Sequence, residues 1–116
     1  MGKPHSPFAR LLNQSAPTHE GLRFIAVDDI VYLQASDNYT YIHTADGHKF
    51  LVSRTLKDFE DLLPPDTFLR IHHAHIVNKS FVEQYIRGEG GQVMMRNRVV
   101  LDVSKRKKAE FLKAIS

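Results

Sequence analysis

The 116-residue chain has no cysteine, which removes disulfides, thiolate zinc sites and cysteine nucleophiles together. It also lacks any apolar run long enough to span a bilayer, and no signal-peptide core follows Met1. Both absences fit a cytoplasmic setting with no membrane partner. Met1-Gly2-Lys3-Pro4-His5-Ser6 matches a bare myristoylation pattern, but that pattern is short and nothing else in the chain supports it. Catalytic constellations are missing too. There is no Gly-x-Ser-x-Gly elbow, no Gly-x-x-x-x-Gly-Lys-Ser/Thr phosphate loop and no His-Glu-x-x-His helix. Gly88-Glu89-Gly90-Gly91 comes nearest to a phosphate loop, yet no Lys-Ser/Thr follows it and strand-like runs flank it. A hairpin turn explains it. Neither an internal repeat nor βαβ alternation is present, so a parallel nucleotide-binding sheet is not expected. The expectation is a chain without enzymatic activity and without a cofactor.

What is present fits one domain, with 42% apolar residues to build a single core. The net charge of +3 says little, but its distribution says more. Asp58, Glu60 and Asp61 gather in one place, while Lys105, Arg106, Lys107 and Lys108 form a basic run. Such a run is either a solvated helix face or a phosphate-binding patch.

Residues 1–20 mix Pro4, Pro7 and Pro17 with polar residues and read as a linker or tail, with a helical turn around Phe8–Leu12. The texture changes at Leu22, and the domain spans 21–116. Leu22–Val27 and Ile30–Ala35 read as strands around an Asp28-Asp29 turn. Tyr39–Ala45 and His48–Val52 flank Asp46-Gly47, a two-residue type I′ hairpin signal. In Ser53–Leu63 the period changes: Leu56, Phe59 and Leu63 recur at i, i+3 and i+7, giving one helical stripe. Thr55 with Asp58 forms a capping box at its start, and Pro64-Pro65 stops it. Phe68–Val77, Phe81–Arg87, Gln92–Arg96 and Val99–Val103 are further strands, with a turn at Asn97-Arg98. Ser104 caps a last helix whose apolar side is Phe111, Leu112 and Ile115. The fold class is therefore mainly β and antiparallel, with one inserted and one C-terminal helix.

His72-His73-Ala74-His75 is the one cluster with metal-like spacing. On a strand, His73 and His75 share a face and His72 points away. A zinc site would need a third ligand from His43, His48 or Asp46. The plainer reading is one packed imidazole and two exposed polar positions.

Three segments in order resemble the LytTR family of bacterial transcription regulators. The first runs from Phe24-Ile25-Ala26-Val27-Asp28-Asp29 through Ile30–Ala35 to Ser36-Asp37-Asn38-Tyr39-Thr40. Next come Thr55-Leu56, Leu62-Leu63 and the run Phe68-Leu69-Arg70-Ile71-His72-His73-Ala74-His75-Ile76-Val77-Asn78. The third is Val99-Val100-Leu101-Asp102-Val103-Ser104-Lys105-Arg106. The resemblance covers residues 22–115. It implies an elongated fold of several small sheets that binds direct-repeat sites in double-stranded DNA, with loops entering successive major grooves. It further implies a response regulator of a two-component system: an N-terminal receiver domain in the full-length protein, a sensor kinase upstream, and a dimer on DNA.

Carried onto this sequence, the resemblance puts DNA contacts at Asn38, Tyr39 and Thr40, at His72, His73 and His75, and at Lys105, Arg106 and Lys108. Asn38 offers the donor–acceptor pair that suits adenine, Thr40 can touch a thymine methyl, and Tyr39 can bond a phosphate. His73 stands where family members often carry a basic or amide side chain; it can read a base edge without the fork of an arginine. Local physics speaks for the third group. A helix start carries partial positive charge and ordinarily favours Asp or Glu, so a start of Lys105-Arg106-Lys107-Lys108 asks for an anion. Arg96 and Arg98 are further candidates for phosphate. Arg70, among apolar strand residues, reads equally as a brace for an acid inside the fold. The alternatives are a protein-interaction module of the same fold without DNA binding, and a metal-binding domain built on the His cluster.

Overall fold

A computed structural model of the protein describes residues 25–116 throughout and, before them, the backbone of residues 17–18 and 21–22. The myristoylation hexapeptide and the turn around Phe8–Leu12 lie outside the described residues. The backbone of β1 (Pro17–Thr18) pairs antiparallel with that of β2 (Gly21–Leu22). The strand expected over Leu22–Val27 does not run through, because Val27–Asp29 winds into a short 3-10 turn.

The main sheet has five antiparallel strands in the order β5-β4-β3-β7-β6. They are β3 (Ile30–Ser36), β4 (Tyr39–Thr44), β5 (Lys49–Val52), β6 (Phe68–His72) and β7 (His75–Asn78). Alternation along each strand sends side chains to two separate cores. Leu33, Ile42, Val52 and Ile76 face one way, onto Leu56, Phe59 and Leu63 of the α1 region (α1, Leu56–Leu62). Val31, Tyr32, Ile71 and Val77 face the other way, where the second layer packs; the adjacent Val31 and Tyr32 share that side because the register of β3 shifts between Ile30 and Tyr32. That layer is the three-stranded sheet β10-β9-β8 together with α2. Its elements are β8 (Val82–Ile86), β9 (Gln92–Met95), β10 (Val100–Asp102) and α2 (Lys105–Ile115). The five-stranded sheet is the middle layer.

The helix starts are set by the residues expected to set them. The hydroxyl of Thr55 accepts the N–H of Asp58, and the Asp58 carboxylate accepts the N–H of Thr55 in return. Ser104 accepts the N–H of Lys107 at the start of α2. Asn78, buried at the end of β7, donates to the carbonyl of Ile30 and accepts the N–H of Ser80, so it ties β7 to β3 and shapes the following turn.

Two turns depart from the sequence reading. Asp46-Gly47 is not a two-residue type I′ turn. The N–H of Gly47 donates to Thr44, that of Thr44 donates to His48, and Gly47 sits at φ +87° while Asp46 does not take positive φ. This is a three-residue loop closed by a bulge at glycine, favoured because the Asp46 carboxylate accepts from the Thr44 hydroxyl and the His48 N–H. The second departure matters more. Phe68–Val77 is not one strand but a hairpin, with His72 paired to His75 and only His73-Ala74 between them.

Candidate nucleic-acid interface

The hairpin brings the sequence-predicted segments to one end of the main sheet. β3 reaches that end at Ser36, the Asp37-Asn38 turn follows, and β4 leaves from Tyr39. Gln34 on β3 pairs with His75 on β7, and the N–H of Ala35 donates to the carbonyl of Ala74 at 2.9 Å. The turns Asp37-Asn38 and His73-Ala74 therefore stand side by side. α2 starts beside them, because the N–H of Ser104 donates to the carbonyl of Ile71 at 2.8 Å. An open cleft of about 330 Å³ joins the last two groups, lined by Arg70, His72, His73, Ser104, Arg106 and Lys107, with Glu60 at its edge.

Within this end, Asn38 and Tyr39 are exposed, and Asp37 beside them takes φ +54°. Thr40 is a correction to the expected contact set. It is fully buried, and its hydroxyl donates to the carbonyl of Arg54 at 2.7 Å, so it steadies the start of β4 and offers no surface.

The histidines also fall differently from a continuous strand. His73 is the exposed tip, whereas His72 and His75 face each other across the hairpin with ring centroids 5.8 Å apart. Nδ1 of His72 accepts the N–H of Ala74 at 3.1 Å, which requires that nitrogen to be unprotonated. Burial, and after it the neighbouring His73, push the His72 pKa below its usual value. His75 is half-buried against the edge of Tyr32; burial first, then His72, lower its pKa, and its buried Nδ1 has no hydrogen-bond partner. Further along, Tyr32 stacks on His43 at 4.1 Å, and the Nε2–H of His43 donates to Oε1 of Gln34 at 3.1 Å. Among the described residues no group of three or more His, Asp or Glu is placed to hold a metal ion.

At the helix start, Arg106 is exposed on the cleft side, and the loop Gly88–Gly91 flanks the other side. Lys105 pairs with Glu89 at 2.9 Å, with both side chains mostly in water. Such an exposed pair contributes about 0–1 kcal/mol and yields easily to a phosphate. Lys108 reaches the carbonyl of Gly88 at 3.3 Å. Gly90 is required here by close approach: a Cβ would lie 2.1 Å from the carbonyl oxygen of Val103. Sequence reading missed this docking of the Gly88–Gly91 loop against the helix start, since no local signal announces it.

Other candidates lie elsewhere. The N–H of Arg96 donates to Phe81, beyond the far end of β7, so Arg96 and Arg98 belong to the opposite end of the domain. A second hollow, lined by Ile25, Ala26, Asp29, Thr44, Asp46 and Phe50, carries carboxylates and no cation, a poor match for phosphate. No helix among the described residues is long and apolar enough to cross a membrane.

Comparison with known proteins fits this geometry. The chain matches the LytTr DNA-binding domain family over residues 20–116. It is 34% identical over 76 residues to a CO-responsive transcriptional regulator of Rhodospirillum rubrum, covering 66% of this chain and 32% of that protein. It is 31% identical over 90 residues to a response regulatory protein of Vibrio cholerae, covering 74% and 34%. The chain thus spans about a third of the length of these relatives. A solved LytTr DNA-binding domain of a Bacillus cereus response regulator superposes with a TM-score of 0.79 at 26% identity, covering 88% of this chain and 94% of that one.

Proposed function

This chain belongs to the LytTr DNA-binding domain family, and from that premise we propose that it binds double-stranded DNA sequence-specifically as the non-catalytic output domain of a bacterial transcription regulator. The observation that carries the reading is the meeting of two polar turns and a cationic helix start at one end of the sheet. An end of this kind suits the division of labour in DNA recognition. Cations and helix N–H groups hold phosphates and set register, while a few polar side chains read base edges.

In this reading Lys105, Arg106 and Lys108 meet the backbone, and Tyr39 joins them through its hydroxyl. Asn38 and His73 read bases in the major groove. His72 and His75 shape the second turn from behind, and Thr40 acts within the fold. The likeness to response-regulator proteins supports an N-terminal receiver domain governed by a sensor kinase, working in the cytoplasm. Binding to direct repeats, with two copies of the domain on one site, completes the proposal.

Selection of bound fragments from random duplexes, followed by a His73→Ala variant on the selected site, tests it. The expected result is one recurring motif, with the variant losing discrimination at one position by about 1–3 kcal/mol. Recovery of no motif from the wild-type chain defeats the reading.

A further inference from the structure

We propose that Arg70 is the positioning residue of the base-reading turn, with Glu60 on α1 as its anchor; the inference rests on the DNA-binding reading above. The turn His73-Ala74 contains none of Gly, Asn, Asp or Pro, the residues that impose turn geometry through their own backbone. Its shape is supplied from outside. Arg70 donates from Nε to the carbonyl of His72 at 2.9 Å and from Nη2 to the carbonyl of His73 at 2.7 Å. Its remaining nitrogen, Nη1, donates to Glu60 Oε1 at 3.0 Å. One rigid guanidinium fork therefore fixes two successive carbonyls and refers both to α1.

α1 is itself held by Phe59, which is completely buried in the core. The chain of reference runs from core to helix, from Glu60 to Arg70, and on to the carbonyl of the residue whose imidazole is exposed. Holding the carbonyls of His72 and His73 restrains the peptide planes on both sides of the His73 Cα, and with them the direction in which its side chain leaves the backbone. Arg70 has a side-chain exposure of only 19%, and each of its nitrogens has a protein partner, so it is poorly placed to meet a phosphate. A lysine keeps the charge but has no planar fork to span both carbonyls.

The test uses the whole chain, the selected duplex and a scrambled duplex, each over a range of salt concentrations. Arg70→Lys is expected to weaken binding to the selected duplex by about tenfold, because a reading group needs its support held within a fraction of an ångström. On the scrambled duplex it changes affinity less than about twofold, with the salt slope unchanged. Glu60→Gln, at an exposed position that leaves the core intact, gives a smaller loss in the same sense. In a His73→Ala background the Arg70→Lys penalty shrinks to about twofold or less, since both residues act through one contact. Without DNA, amide hydrogen exchange at His73 and Ala74 is faster in Arg70→Lys, while amides in β3 and β4 are unchanged.

Equal losses on both duplexes, or a fully additive double variant, overturn the proposal in favour of general bracing. A salt slope shallower by about one overturns it in favour of a phosphate contact. Unchanged exchange at the turn overturns it directly. If the wild-type chain binds neither duplex, the DNA-binding reading fails instead, and the exchange comparison still decides whether Arg70 holds the turn.

Discussion

The two turns at the candidate interface end of the main sheet are built on opposite plans. Asp37-Asn38 carries its instructions locally. Both residues favour turns, and Asp37 accepts φ +54° more readily than most side chains do. His73-Ala74 carries none. It exists because Arg70 grips two carbonyls, His72 takes the N–H of Ala74, and Ala74 in turn accepts from Ala35. A locally coded turn keeps its shape when its surroundings shift, whereas an externally held one reports every change in its supports.

Substitutions that strike the supports should separate the two turns. The largest effect is expected from Phe59→Ala, which empties a fully buried site under α1 and costs about 3–5 kcal/mol. Urea denaturation measures the loss, and native-state exchange should show His73-Ala74 opening before Asp37-Asn38. Next comes Gly90→Ala. Its methyl collides with the carbonyl of Val103 and pushes the helix start away from Ile71, at a cost of about 1–3 kcal/mol by thermal denaturation.

Acid acts by a different route. Burial, Lys49 and His75, in that order, hold the His43 pKa down from 6.5 to about 4. The unfolded chain therefore takes up that proton first as the pH falls. Stability is lost progressively between about 6.5 and 4, on the order of 1 kcal/mol after solvent screening. A His43→Gln variant should show a flatter dependence in that window. Protonation of Nδ1 on His72, whose pKa burial holds below its usual value, removes the acceptor for Ala74, so the externally held turn should loosen on acidification. The smallest effect is expected from Asp37→Gly, which relieves a left-handed residue and raises stability by up to about 1 kcal/mol, leaving exchange at His73 untouched.

The same contrast explains what was legible in the sequence. Features whose cause is local could be read: the α1 stripe of Leu56, Phe59 and Leu63, the Thr55–Asp58 capping box and the Ser104 cap all stand where their spacing put them. Features whose cause is distant could not. The run Phe68–Val77 has no turn residue to break it, and the fork of Arg70 that grips the turn is anchored on Glu60 of α1, ten residues earlier. Thr40 looks like a loop hydroxyl until β5 and Arg54 cover it. The Asp46-Gly47 loop lies between these cases. Glycine marked its place, but hydrogen bonds from Thr44 and His48 to Asp46 chose its type. At the site, the basic start of α2 was visible as an electrostatic oddity in the sequence, while its closeness to His73 was not.

In the proposed mode of binding, this end of the sheet meets the phosphates of a duplex through the start of α2. The most direct measurement is the affinity of the wild-type chain and a Lys105→Ala/Arg106→Ala variant for one duplex across a salt series. Log affinity is expected to fall linearly with log salt for the wild type, with a slope shallower by about two in the variant. A variant with the wild-type slope, or a wild-type chain that ignores duplexes in dilute buffer, would contradict that mode of binding.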